Sequence, residues 1–131
     1  MIYMLDTANV AEIERLFDLY PIDGVTTNPT IIAQEQKPLR RLLLDIRTVI
    51  GEDAHLHVQP ISNRAEAIVA EALEYRDLCK GNYYAKIPVT PQGIKAIRLL
   101  KQQGVKVTAT AIFTQQQALI AAKAGADFVA P

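Results

Sequence analysis

Apolar runs bounded by glycine, proline and asparagine recur along this chain at a regular interval, and that rhythm restricts its fold more than any single residue does. Runs that read as short strands start near residues 2, 24, 55, 83, 105 and 127, spaced by 22 to 31 residues, with an amphipathic helical pattern in each gap. The first strand, Ile2 to Asp6, is followed by a helix capped by Thr7 or Asn9, with Glu12 in a capping-box position and an apolar stripe of Val10, Ile13, Leu16, Phe17 and Tyr20. Gly24 to Pro29 reads as the second strand, and Pro38 opens a helix with Leu39, Leu42, Leu43, Ile46, Val49 and Ile50 inward. His55 to Gln59 is the third strand, stopped by Pro60, and Asn63 with Glu66 starts a helix on Ala65, Ile68, Val69, Ala72 and Leu73. After the fourth strand, Tyr83 to Val89, Thr90-Pro91 supplies an N-cap and a first-turn proline for a helix on Ile94, Ile97 and Leu100. Val105 to Phe113 is the fifth strand. Thr114 and Gln117 then form a capping box for a helix carrying Ala118, Leu119, Ala121 and Ala122, and Asp127 begins a sixth strand.

Strand and helix alternating at this spacing mean parallel strands joined by right-handed crossovers. Two architectures satisfy that, a doubly wound open sheet and a (β/α)8 barrel. Central strands of an open sheet are apolar on both faces. These are not: Asp6, Asn28, Gln59, Lys86 and Thr110 stand at or near the C-terminal ends of five successive strands. Polar groups from many strand ends converging on one mouth is the arrangement of barrel enzymes. The expected fold is α/β, an incomplete (β/α)8 TIM barrel of five βα units plus a sixth strand, in a single domain over residues 1–131. A whole barrel takes about 250 residues, so the expectation is the N-terminal portion of one. Its first and sixth strands should each be a sheet edge, or be paired across a chain boundary, with Ile2, Met4 and Val129 exposed beside them.

In the middle of Tyr83-Tyr84-Ala85-Lys86-Ile87-Pro88-Val89 sits a lysine. Strand alternation puts Tyr84, Lys86 and Pro88 on one face and Tyr83, Ala85, Ile87 and Val89 on the other. A charged ammonium is costly to bury there. The ordinary outcome is an edge-strand or snorkelling lysine. The alternative is a desolvated amine of lowered pKa, able to attack a carbonyl and form a Schiff base.

Taken singly, the other strand-end residues have structural readings. Asp6 could cap the first helix, Asn28 and Gln59 each precede a proline in a turn, and Thr110 suits any strand. His55 and His57 share parity with Gln59 but lack a nearby third ligand, a weak case for a metal. Taken together, an acid, two amides, a hydroxyl and a lysine on matched ends of five strands are hard to attribute to packing. With 14 basic and 14 acidic residues the formal charge is zero, which argues against nucleic acid or an anionic membrane as partner. The lone Cys79 forms no internal disulfide and reads as a buried structural side chain. The N-terminus has neither a basic leader nor a long apolar stretch, so a cytoplasmic location is expected.

Several stretches give the chain a family resemblance: Leu5-Asp6-Thr7-Ala8, Gly24-Val25-Thr26-Thr27-Asn28-Pro29-Thr30-Ile31-Ile32, Val58-Gln59, Lys86-Ile87-Pro88-Val89-Thr90, Thr110-Ala111-Ile112-Phe113, and Ala122 to Pro131. In order and spacing these resemble the transaldolase family and, within it, the small fructose-6-phosphate aldolases. The resemblance implies a Schiff-base lysine at Lys86, the strand-one aspartate at Asp6, a substrate-binding asparagine at Asn28 and a water-holding threonine at Thr110; Thr26, on the same strand as Asn28, either assists in substrate binding or is structural. Position 59 is a glutamate in transaldolases and a glutamine in the aldolases, and here it is Gln59.

Class I aldol chemistry, with no metal or other cofactor, is the activity this resemblance implies. The implied function is cleavage or formation of a carbon–carbon bond in a ketose phosphate, with a dihydroxyacetone-type donor. Its partners would be a sugar phosphate or dihydroxyacetone, and further copies of the chain in a homo-oligomer. One alternative is a transaldolase passing the three-carbon unit between sugar phosphates. Another, of a different class, is an inactive barrel fragment with an assembly or binding role.

Overall fold

Gly24 opens the second strand where no other residue fits: a Cβ there would meet the Cβ and carbonyl oxygen of His55 at 2.5 Å. That close approach belongs to a parallel sheet whose register is Met4↔Gly24, Leu5↔Val25 and Asp6↔Thr26 on one side and Gly24↔His55, Val25↔Leu56 and Thr26↔His57 on the other. The computed structural model describes all residues, 1–131. Its elements are β1 (Met4–Asp6), α1 (Val10–Leu19), β2 (Gly24–Thr26), α2 (Pro29–Gln34), α3 (Leu39–Ile50), β3 (His55–Val58), α4 (Ala65–Cys79), β4 (Tyr83–Pro88), α5 (Pro91–Gln102), β5 (Lys106–Thr110), α6 (Gln115–Ala124) and β6 (Phe128–Ala130). The six strands form one sheet in the order β1-β2-β3-β4-β5-β6. This is the succession of an incomplete α/β barrel, as the strand spacing predicts. The order leaves β1 and β6 at its ends, and Ile2 and Val129 are exposed as expected, whereas Met4, also expected to be exposed, is half-buried on β1. No helix is long and apolar enough to cross a membrane.

Two compact units make up the chain, residues 1–58 with 75–83 and residues 59–74 with 84–131. In the first, α1 packs on α3, and Ile13, Val25, Leu42, Leu43, Ile46, Leu56 and Val58 are wholly buried. Asn9 caps α1 by accepting from the Glu12 amide at 2.9 Å. Buried in this apolar set is Arg47, whose guanidinium donates to the carbonyls of Cys79 (3.0 Å), Gly51 (2.8 Å), Ala54 (2.8 Å) and Lys80 (3.2 Å). One planar fork thus fastens the end of α3, the approach to β3 and the end of α4. In the second unit Ala85, Ile87, Ala96, Ile97, Leu100, Val107 and Ala109 are wholly buried. Thr90 caps α5 through the Gly93 amide (2.9 Å), and a Cβ on Gly93 would overlap the Pro88 carbonyl oxygen at 1.9 Å, so only glycine lets α5 start this close to the end of β4. Thr114 and Gln117 close the predicted capping box of α6.

Two local expectations change, and one helix face differs from its neighbours. Asn28-Pro29, read as the end of a strand, instead caps and opens the short helix α2. Strand β5 ends at Thr110 rather than Phe113, because Ala111 takes the left-handed region at φ 57° and turns the chain out of extension. Finally, of the apolar residues that α6 carries, Ala118, Leu119, Ala121 and Ala122, only Ala121 is buried, while Leu119 is 72% exposed.

Candidate active site

In the first unit the site is built at the ends of β1 and β2. Asp6 and Thr26 are register partners, and the Thr26 hydroxyl donates to Asp6 Oδ1 at 2.7 Å. Asp6 therefore does not cap α1, a role taken by Asn9; its exposed carboxylate is oriented by a neighbouring strand. The next residue, Thr27, points into the protein, and its amide and hydroxyl both donate to the His57 carbonyl, at 3.0 and 2.9 Å. This anchor places Asn28 at the mouth of the strand. Asn28 Oδ1 accepts from the Ile31 amide at 3.0 Å, so the capping bond takes its carbonyl end. His55 and His57 stack with ring centroids 5.8 Å apart, and no group of three or more His, Cys, Asp or Glu side chains gathers there or elsewhere.

Lys86 belongs to the second unit. Its strand is not an edge: β4 pairs with β5 in the register Lys86↔Thr108 and Pro88↔Thr110, and stands inside the sheet order. Lys86 is only 8% exposed, so neither the edge nor the snorkelling reading describes it. Ala85 and Ile87, on the opposite face, are buried completely. Below it on its own face lies Tyr84, edge-on to Phe128 (5.4 Å between centroids) with Lys106 Nζ 5.3 Å from its ring centroid. Burial, and then the charge of Asp127, push the Tyr84 hydroxyl pKa upward. Thr110 lies one pleat beyond Lys86, and its carbonyl accepts from the Val89 amide at 2.9 Å. Thr108, 4% exposed and directly opposite Lys86, is a site neighbour that the sequence motifs do not single out. Its signal is parity, since residues two apart on a strand share a face and Thr110 is itself a candidate.

Gln59 is half-buried and leads from β3 into the loop before α4. A solvent-open cavity of about 320 Å³ lies in this second unit at the end of β4, lined by Ser62, Asn63, Ile68, Pro88, Thr90, Pro91 and Gln92. Cys79 is no candidate nucleophile. Burial pushes its thiol up to about 11 against a weaker opposing pull from Arg47, so at neutral pH it is protonated and enclosed.

Asp6 and Thr26 are thus brought together by a hydrogen bond, Asn28 follows on the same stretch, and Lys86 and Thr110 lie on paired strands. Parallel strands in sequential order, alternating with helices, define the class of α/β barrels. Within that class the chain belongs to the transaldolase/fructose-6-phosphate aldolase family, whose sequence model matches residues 3–131. Membership brings an aldolase- or transaldolase-type function and sugar phosphates as the substrate class.

Proposed function

We propose that this chain carries the catalytic lysine of a class I aldolase of the fructose-6-phosphate aldolase type. The observation that carries the reading is Lys86, a primary amine 8% exposed on an interior strand of a family member. Its neutral Nζ adds to the ketone carbon of the donor to give a carbinolamine, which loses water to give an iminium. The iminium accepts the electron pair of the adjacent carbon–carbon bond as that bond breaks, giving an enamine. The hydroxyl on the departing carbon loses its proton and becomes the aldehyde. Protonation of the enamine and addition of water then return the ketone and the free amine. Asp6, oriented by Thr26, takes and returns the proton or orients the donor hydroxyl. The Asn28 NH2 donates to a substrate hydroxyl, and Gln59 and Thr110 hold the water. An amide does not act as a base at neutral pH, so Gln59 holds the water rather than ionising, and the resemblance of this position to the aldolases favours aldol cleavage over the transaldolase reaction.

Borohydride added with dihydroxyacetone or fructose 6-phosphate tests the reading. The expected result is irreversible loss of activity with one stable adduct on the intact chain. Cleavage activity that survives saturating borohydride and substrate, with no mass gain, would exclude an imine mechanism. Product analysis with and without an aldose phosphate acceptor separates aldolase from transaldolase.

A further inference from the structure

The loop that carries Gln59 is held by side chains that the chemistry above does not use. Both oxygens of Glu71, on α4, accept from consecutive backbone amides of that loop, Ile61 (Oε1, 3.0 Å) and Ser62 (Oε2, 3.0 Å). Gln92, in the first turn of α5, accepts from the Ala65 amide at 2.9 Å and ties the start of α4 to the helix that follows the lysine strand. Between the Glu71 clamp and Gln59 stands only Pro60, buried and with φ locked by its ring. An ionised carboxylate that takes two neighbouring amides is a strong bidentate acceptor, stronger than a surface loop needs for solvation alone. We infer that Glu71 is a positioning residue, which fixes the backbone at Ile61 and Ser62 and thereby aims the Gln59 amide at the reacting water.

This inference rests on the aldolase reading only for the role of Gln59, and two measurements on the full chain separate them. The first is Glu71→Gln, nearly isosteric but with one oxygen replaced by an NH2 that faces a backbone N–H. Hydrogen exchange of the Ile61 and Ser62 amides should rise at least about tenfold, with the resolved Gln59 side-chain amide signals broadened or merged and the β4 and β5 amides unchanged. Unchanged exchange and unchanged Gln59 signals would overturn the inference whatever the enzyme does. The second is a double-mutant cycle with Gln59→Ala. Glu71→Gln alone should lower kcat on the order of 10- to 100-fold with little change in KM, yet change kcat less than about twofold in the Gln59→Ala background. The same loss in both backgrounds would overturn the inference and leave the aldolase reading intact, whereas absence of any borohydride adduct would sink that reading and leave the exchange result to decide for Glu71. If Glu71→Gln fails to fold, Glu71→Asp, which keeps the charge but falls short of the two amides, serves in its place.

Discussion

Asp6 and Thr26 close a 2.7 Å hydrogen bond at the ends of β1 and β2, whereas Lys86 on β4 is enclosed with Ala85 and Ile87 on either side. The two units thus hold their candidate site residues by different means. In the first, Thr26, Thr27 and Asn28 each bond to a named backbone or side-chain partner, so their orientation follows from local geometry. In the second, strand alternation sets the amine on a buried face of an interior strand. Removing a group of the first kind disturbs structure around it. Removing one of the second kind should disturb function alone.

The largest contrast is expected at Lys86. Lys86→Met keeps the length and replaces a buried amine by an apolar group, so activity should fall by about 10⁴-fold or more while Tm stays level or rises. A fall of several degrees would make the lysine structural and dissolve the comparison. Arg47 should behave in the opposite sense. Arg47→Met strips the donor from four carbonyls, and chemical denaturation should show a loss of about 3–5 kcal/mol, with the folded fraction still able to form its adduct. Little change in stability would mean that those carbonyls find other donors.

A smaller effect separates the units by pH. The Cys79 proton is held to about 11 in the folded chain, against 9.0 for an ordinary thiol, because burial opposes the thiolate. A raised pKa stabilises the fold below the unfolded value, and that contribution is lost as pH climbs from 9 to about 11. The loss amounts to roughly 2–3 kcal/mol at most. Urea titrations of the parent and Cys79→Ala at pH 8 and 10.5 should show a steeper alkaline decline in the parent, and parallel declines would contradict it. The smallest effect is expected at position 59. Gln59→Glu restores a titratable group, so transaldolase activity should rise relative to free cleavage by about tenfold, with a new ionisation in the pH–rate profile. An unchanged ratio would mean that this residue does not set reaction type.

Strand order and the polar strand ends were legible because glycine and proline punctuate the strands and alternation assigns their faces. Lys86 stood out as the one charge in an apolar run. The partners were not legible, since nothing local announces that Thr26 rather than a helix amide engages Asp6. Helix α2 was hidden although Asn28-Pro29 carries the same N-cap and first-turn proline signature as Thr90-Pro91. The signal was overridden by the β-branched run before it. Arg47 could have been found, for it falls on the α3 stripe between Leu43 and Ile50, where a charge requires partners. The exposure of Leu119 could not, because the apolar pattern of a helix says which face is apolar and not whether that face is covered.

The central claim, that one enclosed lysine is the nucleophile, is tested most directly by mapping the borohydride-trapped adduct. After reduction with dihydroxyacetone and proteolysis, mass spectrometry should place the label on Lys86, with Lys86→Arg untrapped because a guanidinium stays protonated. Label on Lys80 or Lys95, or undiminished labelling of Lys86→Arg, would contradict the account.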